Sequence, residues 1–368
     1  DLDADMNAEN DPVAVIGGGW AGLACALTLA DAGARVHVYE AAKQLGGRAR
    51  SVTWDGLNID NGQHLMVGAY RDTLALLARL GMNHGLERRE LHLELPGFRL
   101  RVPRTLPLPA PLHLAAALLT TRGLSWRDKL AIAGFMRRLQ ARNFQTPAAQ
   151  TAAQLLADEP KDVVAKLWAP LCIAALNTPL AEASAQVFCH VLRDSLMGPR
   201  AACELIFNRM PMGRLFPEAA TAALKKQGNR VVPRQRIDSV HWRDTAFHLS
   251  PAETRYRRVV IAVHPAHVPA LLAALPEQAP EIVPLAEQLR QYTWQPITTM
   301  WLRFSAPLAW PFPMLGLGPG QAPWAFERND IAPGVVAIVE SADGPHLARA
   351  PDDLLAHYLH LLEGALGR

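Results

Sequence analysis

The 368-residue sequence predicts an α/β fold in which a parallel βαβ unit is joined to an α+β region carrying a helical insertion. Three observations predict it. Residues 13–40 read strand, glycine turn, helix, strand, acid. Residues 112 to about 205 have mostly helical spacing. After Gly228-Asn229 short β-branched runs return, and Arg258-Val259-Val260-Ile261-Ala262-Val263 has the pattern of a fully buried strand.

The first stretch is the most specific. Val13-Ala14-Val15-Ile16 is an apolar run of strand length that feeds into Gly17-x-Gly19-x-x-Gly22. An Ala/Leu-rich helix follows, broken by Gly33, and a second strand over residues 35–39 ends in Glu40. Together these make a complete Rossmann-like unit for an ADP-containing dinucleotide. Gly17 permits the tight turn, Gly19 lets backbone approach a pyrophosphate, and Gly22 lets helix and strand pack closely. Trp20 and Ala21 open the helix, whose N-terminus offers unpaired N–H groups and a partial positive charge to phosphates. Glu40 is placed to accept hydrogen bonds from the adenosine ribose hydroxyls.

A second glycine loop, Leu45-Gly46-Gly47-Arg48-Ala49-Arg50-Ser51, follows the second strand. Adjacent glycines bring backbone close to a ligand, and Arg48 can add charge-assisted bonds to phosphate. Alone, Gly46-Gly47 is equally an ordinary turn. A nicotinamide-only domain needs no second phosphate loop at this place.

The remaining elements follow in order. Asp55-Gly56 marks a turn between short extended segments. Residues 70–80 have helical spacing and end at Gly81, a fitting C-cap. Residues 91–102 alternate as strands, and the proline-rich residues 105–111 read as a crossing loop. Residues 112 to about 143 read as amphipathic helix. Trp126, Leu130, Ala133 and Arg137 share one stripe there, while Arg127, Lys129, Arg138 and Arg142 supply charge. Residues 151–197 continue as helices broken near Pro160 and Pro179. Strands are expected at 230–232, 236–242, 246–250 and 256–263, then a helix from His264-Pro265 to about Leu275. Strands at 297–304 and 335–340 and an amphipathic helix over 351–366 complete the chain, with no internal repeat.

Composition narrows the class. Half of the chain is apolar and 19% is charged, which is globular rather than disordered. A net charge of +3 without a basic cluster interleaved with aromatics argues against nucleic acid as a partner. The four cysteines, Cys25, Cys172, Cys189 and Cys203, form no CxxC pair and indicate a reducing, cytoplasmic compartment without structural disulfides. No set of residues has metal-ligand spacing. The acidic first residues are unlike a secretory signal, Met6 is the expected natural start, and no apolar run reaches the ~20 residues of a membrane span. The oligomeric state is left open.

The pairing of Gly17-x-Gly19-x-x-Gly22 with Gly46-Gly47-Arg48 resembles the large flavoprotein family of amine oxidases, phytoene desaturases and protoporphyrinogen oxidases. In that family both loops hold FAD in a glutathione-reductase-like domain, so the resemblance implies FAD as cofactor. Further segments resemble one branch, the squalene-associated FAD-dependent desaturases, whose best-described activity is hydroxysqualene dehydroxylase. They are Asp60-Asn61-Gly62-Gln63-His64 with Gly68-Ala69-Tyr70, Leu167-Trp168-Ala169-Pro170-Leu171-Cys172 with Ala175-Leu176-Asn177-Thr178-Pro179, Phe188 with Val191-Leu192-Arg193-Asp194-Ser195-Leu196, and Leu215-Phe216-Pro217-Glu218.

The resemblance implies an apolar isoprenoid substrate, reductive loss of the hydroxyl of hydroxysqualene, and squalene and water as products. It implies a cofactor domain over residues 12–85 and 209–275. The substrate domain is expected over 86–208, with the helical insertion, and over 276–368. A strand like residues 230–232 runs beside the adenine in this family, which adds Val232 to the cofactor contacts. The segment after the second glycine loop runs beside the flavin ring. Gly62 would let backbone approach the ring, and Gln63 would hydrogen-bond ring or substrate. Asp60, Gln63 and His64 are the candidate catalytic residues, with His64 the proton donor, since a histidine titrates near ~6.5. His64 bonding backbone in a tight turn, and Asp60 capping that turn, are the plainer alternatives. Arg193-Asp194 is read as an internal ion pair, and Trp168 and Phe188 as core or tunnel lining. An arginine-bearing face within residues 112–142 is a candidate for peripheral contact with the inner face of the membrane. Relatives carry a C-terminal segment that closes the FAD site; it is absent here, and truncation is the expected reason. Rival readings are a carotenoid or phytoene desaturase, a flavin amine oxidase, and a non-catalytic isoprenoid- or FAD-binding protein.

Overall fold

A computed structural model describes residues 11–103, 108–252, 254–275 and 279–367. Met6 and residues 105–107 of the expected crossing loop lie outside the described residues. The chain forms two compact units, residues 1–61, 75–85 and 210–294, and residues 62–74, 86–209 and 295–368.

The first unit is built on a parallel four-stranded sheet in the order Arg230–Val232, Val36–Tyr39, Val13–Ile16, Arg258–Ile261. Every residue of Val13–Ile16 and Val36–Tyr39 is buried, as strands flanked on both faces require. The helices Trp20–Asp31 and Ala219–Lys226 pack together and against these strands. Ala14, Ile16 and Tyr39 pack with Ile237, Val240, Leu249 and Tyr256, contributed in part by the antiparallel strands Ser239–Arg243, Ala246–Ser250 and Arg255–Tyr256. Two expectations need correction here. The run 256–263 divides between two sheets at Arg257. Its second part, Arg258–Ile261, is not fully buried: Arg258 is exposed and the rest half-buried. The reason is position, since this strand is at the sheet edge and pairs only with Val13–Ile16 among the described residues.

The second unit has a four-stranded antiparallel sheet, in the order Ile297–Arg303, Val335–Ser341, Trp324–Glu327, Met314–Gly316. Alternation divides its side chains between two cores. Val336 and Ile338 pack with Leu354, Tyr358 and Leu362 of the helix Pro351–Leu366. Ala337, Met314 and Phe326 face the larger core, with Phe135, Trp168, Phe188 and Leu192 of the helical region. That region includes Leu112–Thr120, Trp126–Ala141, Ala169–Leu176 and Ala185–Leu196. The Trp126–Ala141 helix starts at a capping box in which the Ser125 Oγ accepts from the Asp128 amide and the Asp128 carboxylate accepts from the Ser125 amide. It buries Lys129, Ile132, Phe135 and Leu139, so the stripe of Trp126, Leu130, Ala133 and Arg137 is its outward face.

Candidate functional site

The glycines of the first loop do different work. Gly17 has φ +113°, and a Cβ there would lie 2.5 Å from the Ala262 carbonyl oxygen. At Gly22 a Cβ would lie 1.9 Å from the Gly17 carbonyl oxygen. Both are glycine because the fold demands it. Gly19 is different: its φ of −75° suits any residue, and a Cβ there meets only Gly47 Cα, at 3.9 Å. The absence of a side chain at Gly19 therefore keeps open a space that the fold does not need. Among the described residues the helix Trp20–Asp31 has no side-chain cap, and its first turn has no acid, which suits its amide end to an anionic ligand.

The second loop is tied to the first. The Gly46 amide donates to the Gly18 carbonyl at 2.9 Å, and Gly19 and Gly46 form a parallel bridge. Gly46 and Gly47 both have positive φ, 111° and 59°, so the turn requires them. Arg48 is exposed beside this turn. Glu40 holds the other side: its carboxylate accepts from the Gly18 amide at 2.8 Å and the Ala42 amide at 2.7 Å. The Glu40 amide donates to the Val232 carbonyl at 3.0 Å. Each carboxylate oxygen retains acceptor capacity for a ribose hydroxyl.

Trp20 adds a contact whose geometry sequence reasoning did not supply. Its ring lies against Phe216 with centroids 4.6 Å apart, and its buried Nε1–H has no hydrogen-bond partner among the described residues. Phe216 belongs to a π-helical turn, Arg214–Glu218, with Pro217 inside it. Such turns are uncommon and concentrate at functional sites. Pro217 abuts the second loop, 3.0 Å from where a Gly46 Cβ would stand. The open space at Gly19, the uncapped helix end, the poised carboxylate and the unpaired indole N–H fit the ADP half of FAD.

The segment 60–64 divides between the units, with Asn61 ending one stretch of the first and Gly62 beginning the second. Asp60 is 1% exposed, and its Oδ1 accepts from the Met212 amide at 2.7 Å and from the Ser51 hydroxyl at 3.3 Å. Those bonds tie the strand Leu57–Asp60 to Ser51 and to Met212, two residues before the π-helical turn, which gives Asp60 a structural role. Gly62 has φ +99°. The Gln63 side chain donates from Nε2 to the His64 carbonyl at 2.8 Å, and its Oε1 accepts from Arg328. Its carboxamide is thus held at both ends within the protein, and Oε1 has a second lone pair. His64 is half-buried.

Arg328 also stood outside the sequence reading. It is 2% exposed, grips Asp330 through Nε at 2.9 Å and Nη2 at 3.0 Å, and lies 5.7 Å from the centre of the Trp301 ring. Arg193 and Asp194 do pair, at 2.7 Å, but with 45% and 52% side-chain exposure they form a surface pair, not the internal one expected. Arg193 holds the Asp194 carboxyl below its ordinary value. Trp168 and Phe188 are fully buried core. All four cysteines are free, and burial pushes the Cys172 thiol up to about 12. Among the described residues no group of three His, Cys, Asp or Glu is placed to hold a metal, and no helix is long and apolar enough to cross a membrane.

Fold and site together define a dinucleotide-binding protein of the flavoprotein kind. The chain belongs to the flavin containing amine oxidoreductase family, whose pattern it matches over residues 20–367. It is 29% identical over 234 residues to a hydroxysqualene dehydroxylase of Zymomonas mobilis, covering 62% of this chain and 54% of that protein. It is 34% identical over 228 residues to a hydroxysqualene dehydroxylase of Rhodopseudomonas palustris, covering 59% and 51%. The chain thus spans about half the length of these curated relatives. In fold it matches the crystal structure of an oxidoreductase from Methanosarcina mazei with a TM-score of 0.71 at 15% identity, over 96% of this chain and 84% of that one.

Proposed function

We propose that this chain anchors FAD and binds an isoprenoid, with the activity of a hydroxysqualene dehydroxylase. The observation that carries the cofactor is the cradle around Gly19; the substrate rests on the two dehydroxylase relatives. When bound, reduced FAD supplies the hydride. The C–O bond of hydroxysqualene breaks, the hydroxyl leaves as water with one added proton, and the hydride takes its place on carbon, which balances as squalene plus water.

The chain's own residues anchor and prepare. Gly17, Gly19, Trp20, Ala21 and Gly22, with Gly46, Gly47 and Arg48, would hold the pyrophosphate of FAD, Glu40 would take the ribose, and Val232 would serve the adenine. This reading assigns the cofactor domain to residues 12–85 and 209–275 and the substrate domain to 86–208 and 276–368; the two compact units differ from it chiefly in placing 62–74 in the second unit and 279–294 in the first. Gly62 would open room for the flavin ring, and His64 would supply the proton that assists the departing hydroxyl. Full-length protein incubated anaerobically with reduced FAD and hydroxysqualene is expected to yield squalene. Oxidised polyenes from carotene precursors, or aldehydes from amines, with no squalene, would replace this reading by a desaturase or an amine oxidase.

The same reading includes peripheral membrane contact on the cytoplasmic side, because such a substrate partitions into bilayers. Leu112, Leu119, Trp126 and Leu130 are 53%, 57%, 66% and 70% exposed, on two helices joined where Lys129 Nζ donates to the Leu119 carbonyl at 2.8 Å. Arg122, Arg127 and Arg137 are exposed nearby in the sequence, which supports an anionic bilayer as the occupant. Flotation with anionic vesicles, lost at high salt and in Trp126→Ser/Leu130→Ser, is expected; no flotation at low salt would exclude it.

A further inference from the structure

We propose that Arg328 is a positioning residue, one that locks the Gly62–Gln63–His64 turn in the shape that cofactor and substrate meet. The proposal rests on the reading of that turn given above, and on the following geometry.

A guanidinium buried to 2% exposure is costly unless its charge and donors are matched. Asp330 matches two arms, accepting from Nε at 2.9 Å and from Nη2 at 3.0 Å. This fork fixes the plane of the group, and the Trp301 ring at 5.7 Å lies against it. With the fork engaged, Nη1 is directed to Gln63 Oε1. The charge is shared further: Arg209 approaches Asp330 at 3.5 Å and also pairs with Glu87, which in turn pairs with Arg89.

The consequence falls on the turn. With its oxygen held by a cation, the Gln63 carboxamide cannot flip, so Nε2 faces the His64 carbonyl, 2.8 Å away. One side chain thereby staples the backbone between the left-handed Gly62 and His64. Thr299 Oγ1 backs Gly62, 3.7 Å from where its Cβ would stand. The turn merely joins the strand Leu57–Asp60 to the strand Leu65–Val67, and a connector of that length does not need a buried cation to close. A shape defended at this cost is one that something else must meet.

The test uses the full chain without cofactor and reads hydrogen–deuterium exchange of the turn amides, residues 61–65. Arg328→Lys keeps the charge opposite Asp330 but cannot present a fork and a third arm together. Gln63→Leu removes the acceptor and leaves the ion pair intact. Each is expected to speed exchange of the turn about tenfold, the loss of one hydrogen-bonded staple. The double variant should match either single one, and FAD titration should show the same non-additive loss of affinity. A residue that only stabilised the second unit would instead speed exchange across the strands Trp324–Glu327 and Val335–Ser341 and add to Gln63→Leu. Wild-type exchange of the turn in Arg328→Lys, or additive effects, overturns the proposal. Should Arg328→Lys not accumulate, Gln63→Leu decides alone, and unchanged turn exchange overturns it. Coupled exchange together with no turnover of hydroxysqualene supports the proposal and discards only the assigned substrate.

Discussion

Replacing Gly19 by alanine separates what the fold requires from what a ligand requires. Gly19 is extended at φ −75°, and the added methyl would meet Gly47 Cα at 3.9 Å, an ordinary contact. Losing glycine at an N-cap costs about 0.5–1 kcal/mol, and the stiffer unfolded chain returns about 0.4–1 kcal/mol. The net change in stability is therefore within about 1 kcal/mol. Gly22→Ala is the control, because its methyl would sit 1.9 Å from the Gly17 carbonyl oxygen and the turn must move. That displacement is expected to cost about 1–3 kcal/mol or more. For a pyrophosphate lying against Gly19, a methyl in the way costs about 1–3 kcal/mol, or roughly 5- to 150-fold in Kd. Urea unfolding of the flavin-free protein and FAD titration by quenching of flavin fluorescence read the two quantities separately. Gly19→Ala binding FAD like wild type would refute the reasoning, as would a Gly22→Ala protein of wild-type stability.

Other outcomes follow from the same geometry. Trp20→Phe keeps the ring on Phe216 but removes the unpaired Nε1–H, and should weaken FAD binding about 2- to 12-fold, the value of one hydrogen bond, with little change in unfolding midpoint. Phe188→Ala opens the core of the second unit at a fully buried site and should cost about 3–5 kcal/mol in urea unfolding. Burial holds His37, His92 and His113 below their ordinary value, with Arg230 and Arg35 adding to the effect at His37 and Glu94 opposing it at His92. Their folded values lie below the unfolded one, so both states are neutral above about pH 6.5 and this stability is then fully present. As pH falls below that, the unfolded chain takes up protons first and stability declines. Urea midpoints between pH 7.5 and 5 should fall, with a shallower slope in His113→Asn; identical slopes would count against it.

What the sequence disclosed was local. Val13–Ile16, the glycine turn and Glu40 lie within one short stretch, and each has its own chemical reason, so period and motif sufficed. The sites that escaped depend on partners far along the chain. Gln63 and Arg328 are 265 residues apart, and nothing in the spacing around Arg328 distinguishes it from a surface arginine. Phe216 meets Trp20 from a π-helical turn far along the chain, and an apolar run containing one proline does not disclose that. The strand at 258–261 misled for another reason: hydrophobic pattern reports which side chains prefer burial, while edge position is decided by neighbours. Likewise the outward face of Trp126–Ala141 holds Trp126 and Leu130, while Lys129 is turned in.

The bond from Gly46 to Gly18 has a consequence for how recognition divides along the cofactor. Both glycine loops, Glu40 and Trp20 belong to one compact unit and are already fastened together. ADP alone should then occupy the cradle as a fragment, carrying its share of affinity with no ring attached. An anchor of that kind is indifferent to what the far end of the molecule does. Reactions can diversify at the ring while the handle that delivers it stays the same.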